Sequence, residues 1–137
     1  MNSFRSSSRK NVKKSIPNAR KPHPKGVGID IEEVARFRAC DPHTQKHFYQ
    51  TIFTDKEIRY CMSKKDPYPH FTARFCAKEA VTKALGRTLF SLKDIEIIND
   101  AAGRPLARVK EKNTGYTVAV SLSHTKEYAT AIALWLL

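Results

Sequence analysis

The apolar residues of this chain change their spacing after residue 86, and this change restricts the fold more than any other feature. Up to that point they recur at helical intervals, as in "RFCAKEAVTKALG" (74–86). Later they alternate with polar residues, as in β-strands with one buried face. The strands predicted in this part are "DIEIIND" (94–100), "LARVK" (106–110), "GYTVAVSLSH" (115–124) and "EYATAIALWLL" (127–137). Helices that precede a mostly antiparallel sheet indicate an α+β domain with helices packed on that sheet.

One strand is also expected near the start. The segment "GVGIDI" (26–31) is rich in β-branched residues and predicts a first strand, with Asp30 near its end. Short helices are predicted over residues 32–40 and 44–53. All of these elements precede the long helix.

Local signals mark the next helix boundaries. Thr54 and Glu57 have the spacing of a capping box, in which each side chain bonds the backbone N–H of the other, so a helix is expected to start after Thr54. Pro67 and Pro69 are expected to end this region, because proline breaks helices. The following helix is then expected to occupy residues 74–86.

The helix over 74–86 carries one apolar arc that must pack on the sheet. The members of this arc are Ala77, Ala80, Val81, Ala84 and Leu85. Glu79 and Lys83 lie on roughly the opposite side. Gly86 follows as a residue that can adopt the left-handed conformation that often ends a helix.

The length and the cysteines limit the class of protein. A chain of 137 residues has the length of one domain with an independent core. No run approaches the roughly 18 apolar residues of a membrane-spanning helix, so we expect no membrane segment. Cys40, Cys61 and Cys76 form no C-x-x-C pair, which argues against a zinc or redox centre. Reduced thiols of this kind are typical of a cytoplasmic protein.

Charge divides the chain into two parts. The formal net charge is +12, of which residues 1–25 supply +8 without any acidic residue and residues 26–137 supply +4. Because residues 1–25 contain few apolar side chains, they predict a disordered basic tail before one folded domain at 26–137. Besides a simple solvated tail, three roles stay open, namely a transit peptide, a contact with nucleic acid and a contact with an acidic partner.

Two carboxylates form the clearest candidate site. Asp30 lies in an otherwise apolar strand, where a buried carboxylate needs a partner or a cation. With Glu79 it would suit Mg²⁺, which accepts few protein carboxylates and keeps water and phosphate as its other ligands. Lys83 could then contact a phosphate oxygen. The alternative is a solvated Glu79–Lys83 pair, which would add roughly a few tenths of a kcal/mol to helix stability.

His124 closes the segment "VSLSH" (120–124), at a strand end where side chains often point into sites. A surface or structural histidine is the simpler interpretation of that residue. Ser121 and Ser123 beside it lack the G-x-S-x-G elbow of a hydrolase nucleophile, so hydrolase chemistry is not indicated.

Four blocks, in order, resemble the motifs of the holo-acyl-carrier-protein synthases, the short, trimeric class of 4′-phosphopantetheinyl transferases. These blocks are "GVGIDIEEVARF" (26–37), "FTARFCAKEAVTKALG" (71–86), "DIEIINDAAGRP" (94–105) and "VSLSHTKEYATAIAL" (120–134). The resemblance implies an enzyme that uses coenzyme A with Mg²⁺, moves the phosphopantetheine arm to a serine of an apo acyl carrier protein and releases adenosine 3′,5′-bisphosphate. Such a reaction depends mainly on positioning and charge neutralisation.

The same resemblance implies roles for individual residues. Asp30 and Glu79 correspond to the metal-binding carboxylates, and either could help to remove the serine proton. Lys83 corresponds to a lysine near the pyrophosphate, where it would neutralise charge and could protonate the leaving phosphate. The residues implied to contact coenzyme A are Arg74, Lys83, Gly86, Pro105, Ser121 and His124.

A docking surface and an oligomer follow from the resemblance as well. Arg36 corresponds to a basic position that meets the acidic carrier protein, and Phe37, Lys46 and Phe48 are its predicted neighbours. A cationic patch would steer the encounter and fix its register. Members of this family place their sites between subunits, so we expect a homotrimer.

A nucleic-acid-binding protein is the main rival hypothesis, because the chain is strongly basic. The predicted strands, however, lack clustered Arg and Lys with interleaved aromatic residues. Removal of residues 1–24 would separate the two hypotheses, since nucleic-acid binding by the tail would vanish while transferase activity would survive.

Overall fold

The structure is a computed structural model that describes residues 24–86, 91–110 and 117–136. Nearly all of the predicted tail and the first residues of the strand predicted at 115–124 lie outside these ranges. The elements in chain order are β1 (Gly26–Glu33), α1 (Val34–Arg38), α2 (Lys46–Ile52), α3 (Asp55–Met62), α4 (Tyr68–Leu85), a 3₁₀ turn (Leu92–Asp94), β2 (Ile95–Asn99), β3 (Pro105–Val109), β4 (Val118–His124) and β5 (Tyr128–Trp135). The predicted α+β class is confirmed.

The strands pair in antiparallel fashion but form two sheets rather than the single sheet expected. The larger sheet has the order β1–β5–β4, and β2 pairs with β3 in a separate hairpin. Both sheets contribute to one core, because Ile95 and Ile97 of β2 belong to the same apolar cluster as Ala129 and Ala131 of β5. Alternation identified the strands, but it carries no information about which strands pair.

Helix α4 packs closely on β1 and β5, because the contact surfaces are built from glycine and alanine. A Cβ atom on Gly28 would lie 1.9 Å from the Ala80 carbonyl oxygen, and one on Gly26 would lie 2.0 Å from that of Ala84. Only glycine fits at this distance. Asp30 follows Gly28 on the same face of β1, since side chains alternate along a strand. The close approach therefore brings Asp30 against α4.

Helix α4 is longer than predicted. Pro67 lies between α3 and α4 as predicted, but α4 starts at Tyr68 rather than near residue 74, so Pro69 belongs to its first turn and not to the break. Proline is tolerated in a first helical turn because the N–H group that it lacks has no partner there. Gly86 ends the helix with a φ of 63°, as predicted. Although α4 has 18 residues, no helix within the described ranges is long and apolar enough to cross a membrane.

A second, aromatic cluster holds the short helices against the start of α4. Its buried members are Phe37, Tyr49, Ile52, Phe53, Cys61 and Phe71. The rings of Tyr49 and Phe71 meet edge to face with centroids 4.7 Å apart. The predicted capping box of Thr54 and Glu57 is present at the start of α3. This cluster fixes the position of α1 relative to α4.

The three cysteines are free, as expected. Cys61 and Cys76 are buried, and burial raises the pKa of the Cys61 thiol to about 12. These two thiols are therefore protonated and behave as small apolar side chains.

Candidate active site

Asp30 uses its two carboxylate oxygens differently. Oδ1 accepts a hydrogen bond of 3.0 Å from Lys83 Nζ, which also donates to the Ile29 carbonyl at 2.9 Å. Among the residues that the structure describes, Oδ2 is buried and accepts no hydrogen bond within normal geometry, although the thiol of Cys76 acts on the same carboxylate. The bond to Asp30 raises the pKa of Lys83 and keeps that side chain cationic. The alternative of a solvated Glu79–Lys83 pair was therefore wrong, because Lys83 pairs with β1 instead.

Glu79 is half-buried on α4 near Asp30. Burial raises its pKa, the negative charge of Asp30 raises it further, and Lys83 opposes the change. Glu32 is a third acid whose charge acts on Glu79, and the sequence analysis missed it. The alternation in "GIDIEE" was the available signal, since it puts Asp30 and Glu32 on one face. Glu32 also forms an ion pair with Arg36.

Asp30 and Glu79 fit the requirements of a hard divalent cation. A buried carboxylate oxygen without a partner, such as Asp30 Oδ2, needs a cation or a proton. Mg²⁺ is commonly held by one or two carboxylates, with water and substrate phosphate as its remaining ligands. Among the residues that the structure describes, no three His, Cys, Asp or Glu side chains form a metal-binding group. The two carboxylates would thus supply only part of a coordination shell.

A cavity of about 200 Å³ lies between α4, the β2–β3 hairpin and β4. Three of the residues predicted to contact coenzyme A line it, namely Arg74, Pro105 and His124. Sequence reasoning missed three further polar or aromatic residues of its wall, which are Tyr60, His70 and Asn99. No local motif identified them, because they come from α3, from the first turn of α4 and from the end of β2.

Arg74 contributes a buried guanidinium to the wall of this cavity. Its side chain is held by a 2.8 Å hydrogen bond to Asn99 Oδ1, and its guanidinium lies 3.9 Å from the centre of the Tyr60 ring. The residue is only 5% exposed, and within the described part of the chain its buried Nε atom has no hydrogen-bond partner. A buried donor that lacks an acceptor is costly, so the arrangement favours an anion in the cavity.

Strand register brings the cavity and the carboxylates onto one face of the larger sheet. Asp30 lies in the same cross-strand row as Leu122, and Glu32 lies in the row of His124. With β5 between them, β1 and β4 are about 10 Å apart. Along α4, Lys83 lies nine positions after Arg74, a rise of about 14 Å. An elongated ligand with two separate phosphate groups could contact both places.

Ser121 and Gly86 are not part of this arrangement in a single chain. Ser121 alternates with Leu122, which lines the cavity, so Ser121 is exposed on the opposite face of β4. There it lies in one row with Ile132 and Ile29. Gly86 is exposed at the C-terminal end of α4.

The residues predicted for carrier-protein docking divide between two cavities. Arg36, Phe37 and Phe48 line an apolar cavity of about 400 Å³, together with Cys40, Ile52 and Phe75. Arg36 is exposed at the rim, whereas Phe37 is only 5% exposed and belongs to the floor. Lys46 lines a different cavity, between α2 and α3.

Comparisons with known proteins match most of the chain. The profile of the 4′-phosphopantetheinyl transferase superfamily matches residues 26–133. A holo-[acyl-carrier-protein] synthase of Chlamydia caviae is 44% identical over 119 residues, which cover 81% of this chain and 96% of that protein.

Solved structures agree as well. The holo-(acyl-carrier-protein) synthase of Bacillus anthracis, in complex with CoA (3′,5′-ADP), superposes with a TM-score of 0.69 at 32% identity, over 82% of this chain and 96% of that one. The Helicobacter pylori holo-[acyl-carrier-protein] synthase in complex with coenzyme A superposes with a TM-score of 0.71 at 26% identity, over 80% of this chain and 98% of that one. This chain belongs to the holo-acyl-carrier-protein synthase family, within the 4′-phosphopantetheinyl transferase superfamily.

Proposed function

We propose that this protein transfers the 4′-phosphopantetheine group of coenzyme A to a serine of an apo acyl carrier protein and releases adenosine 3′,5′-bisphosphate. The observation that carries this proposal is the buried, unpartnered Oδ2 of Asp30, which lies near Glu79 and Lys83. A purely structural ion pair would leave no such oxygen. The relatives named above, which are holo-acyl-carrier-protein synthases, support the same activity.

Coenzyme A would lie along α4 with its nucleotide end in the Arg74 cavity. The cationic and aromatic lining of that cavity suits a phosphorylated nucleoside, and Pro105 and His124 belong to the same wall. The pyrophosphate would then lie near Lys83, about 14 Å further along the helix. Two solved relatives contain coenzyme A or its nucleotide, which supports this ligand.

Asp30 and Glu79 would hold Mg²⁺, which, when bound, would neutralise charge on the phosphate oxygens. Lys83 would serve the same end as a cation of this chain. Its ammonium group has three donors on a half-exposed, flexible side chain, so it can exchange Asp30 Oδ1 for a phosphate oxygen without losing charge compensation.

In the transfer, the serine oxygen attacks the phosphorus that carries the pantetheine arm. The bond from this phosphorus to the oxygen that bridges the two phosphates breaks, and the electron pair leaves on adenosine 3′,5′-bisphosphate. Asp30 or Glu79 accepts the serine proton, and Lys83 stabilises the charge on the leaving phosphate. The residues thus act mainly by positioning and electrostatics.

The carrier protein would dock at the cavity of Arg36, Phe37 and Phe48. Arg36 at the rim suits an acidic partner, and Phe48, which is 39% exposed, offers an apolar contact. Lys46 would add positive charge from the neighbouring side of α2. Charge complementarity of this kind increases the rate of encounter more than it increases intrinsic affinity.

The outer face of the larger sheet would form a homotrimer. Exposed apolar side chains cover this face, namely Val27, Ile29, Ile31 and Ile132. An apolar patch of this kind commonly marks an interface. Ser121 lies in the same patch, so assembly would bring Ser121 of one copy toward a site shared with another.

Substitutions on two equally exposed side chains test the assembly. Ile132→Glu should give monomers in light scattering and a lower transfer rate, because it charges the patch. Leu106→Glu is the matched control, since Leu106 is as exposed but lies on the separate hairpin. The same oligomeric state and the same transfer rate in the two variants would contradict the proposed interface.

The activity itself is tested by the intact mass of an apo acyl carrier protein after incubation with the full chain, coenzyme A and Mg²⁺. We expect a gain of one phosphopantetheine unit that EDTA abolishes. No gain with several carrier proteins would overturn the proposed function.

A chain that lacks residues 1–24 should retain the activity, because the carboxylates and the cavity lie in the domain at 26–137. We also propose a cytoplasmic location, in keeping with the three free thiols.

A further inference from the structure

His70 lies in the cavity of Arg74, although nothing in the motifs pointed to it. It precedes Arg74 by one helical turn on α4 and is half-buried. Its ring meets that of His124 at 69° with centroids 5.0 Å apart, and that of Tyr60 at 77° and 6.1 Å. Two imidazoles and a buried guanidinium therefore line one cavity.

The groups around His70 are mostly cationic. His124 contacts it from β4, Arg74 acts from the same helix, and Lys64 acts from the segment after α3. Asp66 is the opposing charge among these groups. Burial lowers the pKa of His70 most, the neighbouring His124, Lys64 and Arg74 lower it further, and Asp66 raises it. In the free protein His70 is thus neutral at neutral pH.

The cavity suits an anion, because the buried guanidinium of Arg74 lines it and Arg74 Nε has no acceptor among the residues that the structure describes. Coenzyme A carries two kinds of phosphate, and they differ chemically. The pyrophosphate belongs near Lys83, whereas the phosphate monoester on the ribose can carry two charges on one group. A dianion beside His70 would reverse the electrostatic balance that now favours the neutral imidazole.

We propose that His70 takes up a proton when the ribose phosphate monoester of coenzyme A enters the Arg74 cavity, and that the protonated ring then binds a phosphate oxygen. This inference rests on the proposed function and assigns His70 as a further binding residue. The ring contact with His124 keeps the two imidazoles side by side in the wall of this cavity.

The sign of the pH dependence follows from the lowered pKa of His70 in the free protein. The bound phosphate raises that pKa, so protons are taken up between the two values. Affinity for coenzyme A should rise as the pH falls through this window, by at most about tenfold per pH unit for one proton. Above the raised pKa the contribution of His70 disappears.

Calorimetry of the full chain tests this proposal. Titration with coenzyme A in two buffers of different ionisation enthalpy, between pH 6.5 and 8, measures the protons taken up on binding. We expect uptake with coenzyme A and much less with 3′-dephospho-coenzyme A. The ratio of the two affinities should fall roughly three- to tenfold as the pH rises over this range.

His70→Phe is the decisive variant, because it keeps an aromatic ring against Tyr60 and His124. We expect a smaller proton uptake and a weaker pH dependence with coenzyme A, while dephospho-coenzyme A binds as before. His70→Gln also removes the titrating group, so it should show the same smaller proton uptake as His70→Phe. The melting temperatures of both variants should match that of wild type. The phosphate has its own pKa of about 6, but it is common to all variants, so the difference isolates His70.

Unchanged proton uptake in both variants would overturn the inference and assign the proton to His124 or the phosphate. Failure of the wild-type chain to bind either ligand would instead contradict the proposed function, and the inference with it. Binding without a contribution from His70 would leave the proposed function intact.

Discussion

Helix α4 carries two lysines that each pair with a carboxylate. The two pairs have the same kinds of charged group but differ in burial and in hydrogen bonding. Lys78 Nζ lies 2.7 Å from Glu57 Oε2, and both side chains are completely buried. Lys83 Nζ lies 3.0 Å from Asp30 Oδ1, with the lysine side chain 52% exposed and the aspartate side chain 14% exposed. Lys83 lies five positions after Lys78, which is about 1.4 helical turns.

The buried pair is fully satisfied. Lys78 also donates to the carbonyls of Leu92 and Ile95. Glu57 accepts from the backbone N–H of Ile97 and from that of Thr54, each at 2.8 Å. The pair thereby ties α3, α4 and β2 together. Burial lowers the pKa of Lys78, and Glu57 opposes that change.

The other pair leaves Asp30 Oδ2 without a hydrogen-bond partner in residues 24–86, 91–110 and 117–136. A stable core satisfies its polar groups, whereas a site keeps groups free for a ligand. The type of residue therefore does not distinguish a structural ion pair from a functional one. The two kinds differ in whether all their polar atoms are hydrogen-bonded and in how exposed their side chains are to solvent.

The largest expected effect is on stability. Glu57→Ala leaves the ammonium of Lys78 buried without its ion-pair partner, which should lower the free energy of unfolding by about 3–5 kcal/mol. Urea denaturation followed by circular dichroism measures it. A loss below about 1 kcal/mol would mean that the buried pair does not hold the domain together.

Asp30→Asn should affect activity instead. The amide keeps the shape of the side chain but weakens cation binding, so we expect the transfer rate to fall at least about 100-fold. The melting temperature should stay near that of wild type, because no buried charge is left without a partner. Glu33→Gln is the matched control, since Glu33 is exposed on the same strand. Equal rates for both variants would exclude Asp30 from the site.

Lys83→Met separates the two roles of a lysine on this helix. The exposed pair should contribute no more than about 1 kcal/mol to stability. Loss of the cation near the pyrophosphate should lower the transfer rate roughly tenfold or more. Initial rates and a urea titration on one preparation would test both statements. A large stability loss with normal rates would assign Lys83 a structural role.

The smallest effect is expected from the double variant Glu57→Gln with Lys78→Met. Because both charges are removed together, the stability should return to within roughly 1–2 kcal/mol of wild type. The transfer rate should change little, since the buried pair contacts neither carboxylate of the site. Rates that fall as far as those of Asp30→Asn would mean that the buried pair positions the site.

Local features were readable from the sequence. Spacing of three or four residues predicted the capping box of Thr54 and Glu57 and the apolar arc of α4, and a terminal glycine predicted the left-handed end at Gly86. These features depend on residues close along the chain. The resemblance named Asp30, Glu79 and Lys83 together, because four motif blocks in order are specific in combination.

Only the tertiary structure decided which of these groups meet. Lys83 pairs with Asp30, from which 53 residues separate it, and not with its helical neighbour Glu79. His70 joins His124 across the fold, and Ser121 lies on the opposite face of the sheet from Leu122. Periodicity determines which face of an element is apolar, whereas the partner across a contact depends on strand order and on close approach at glycine. The sequence therefore determined the elements and their chemistry, and the packing of α4 on β1 decided which carboxylate keeps an oxygen free for a ligand.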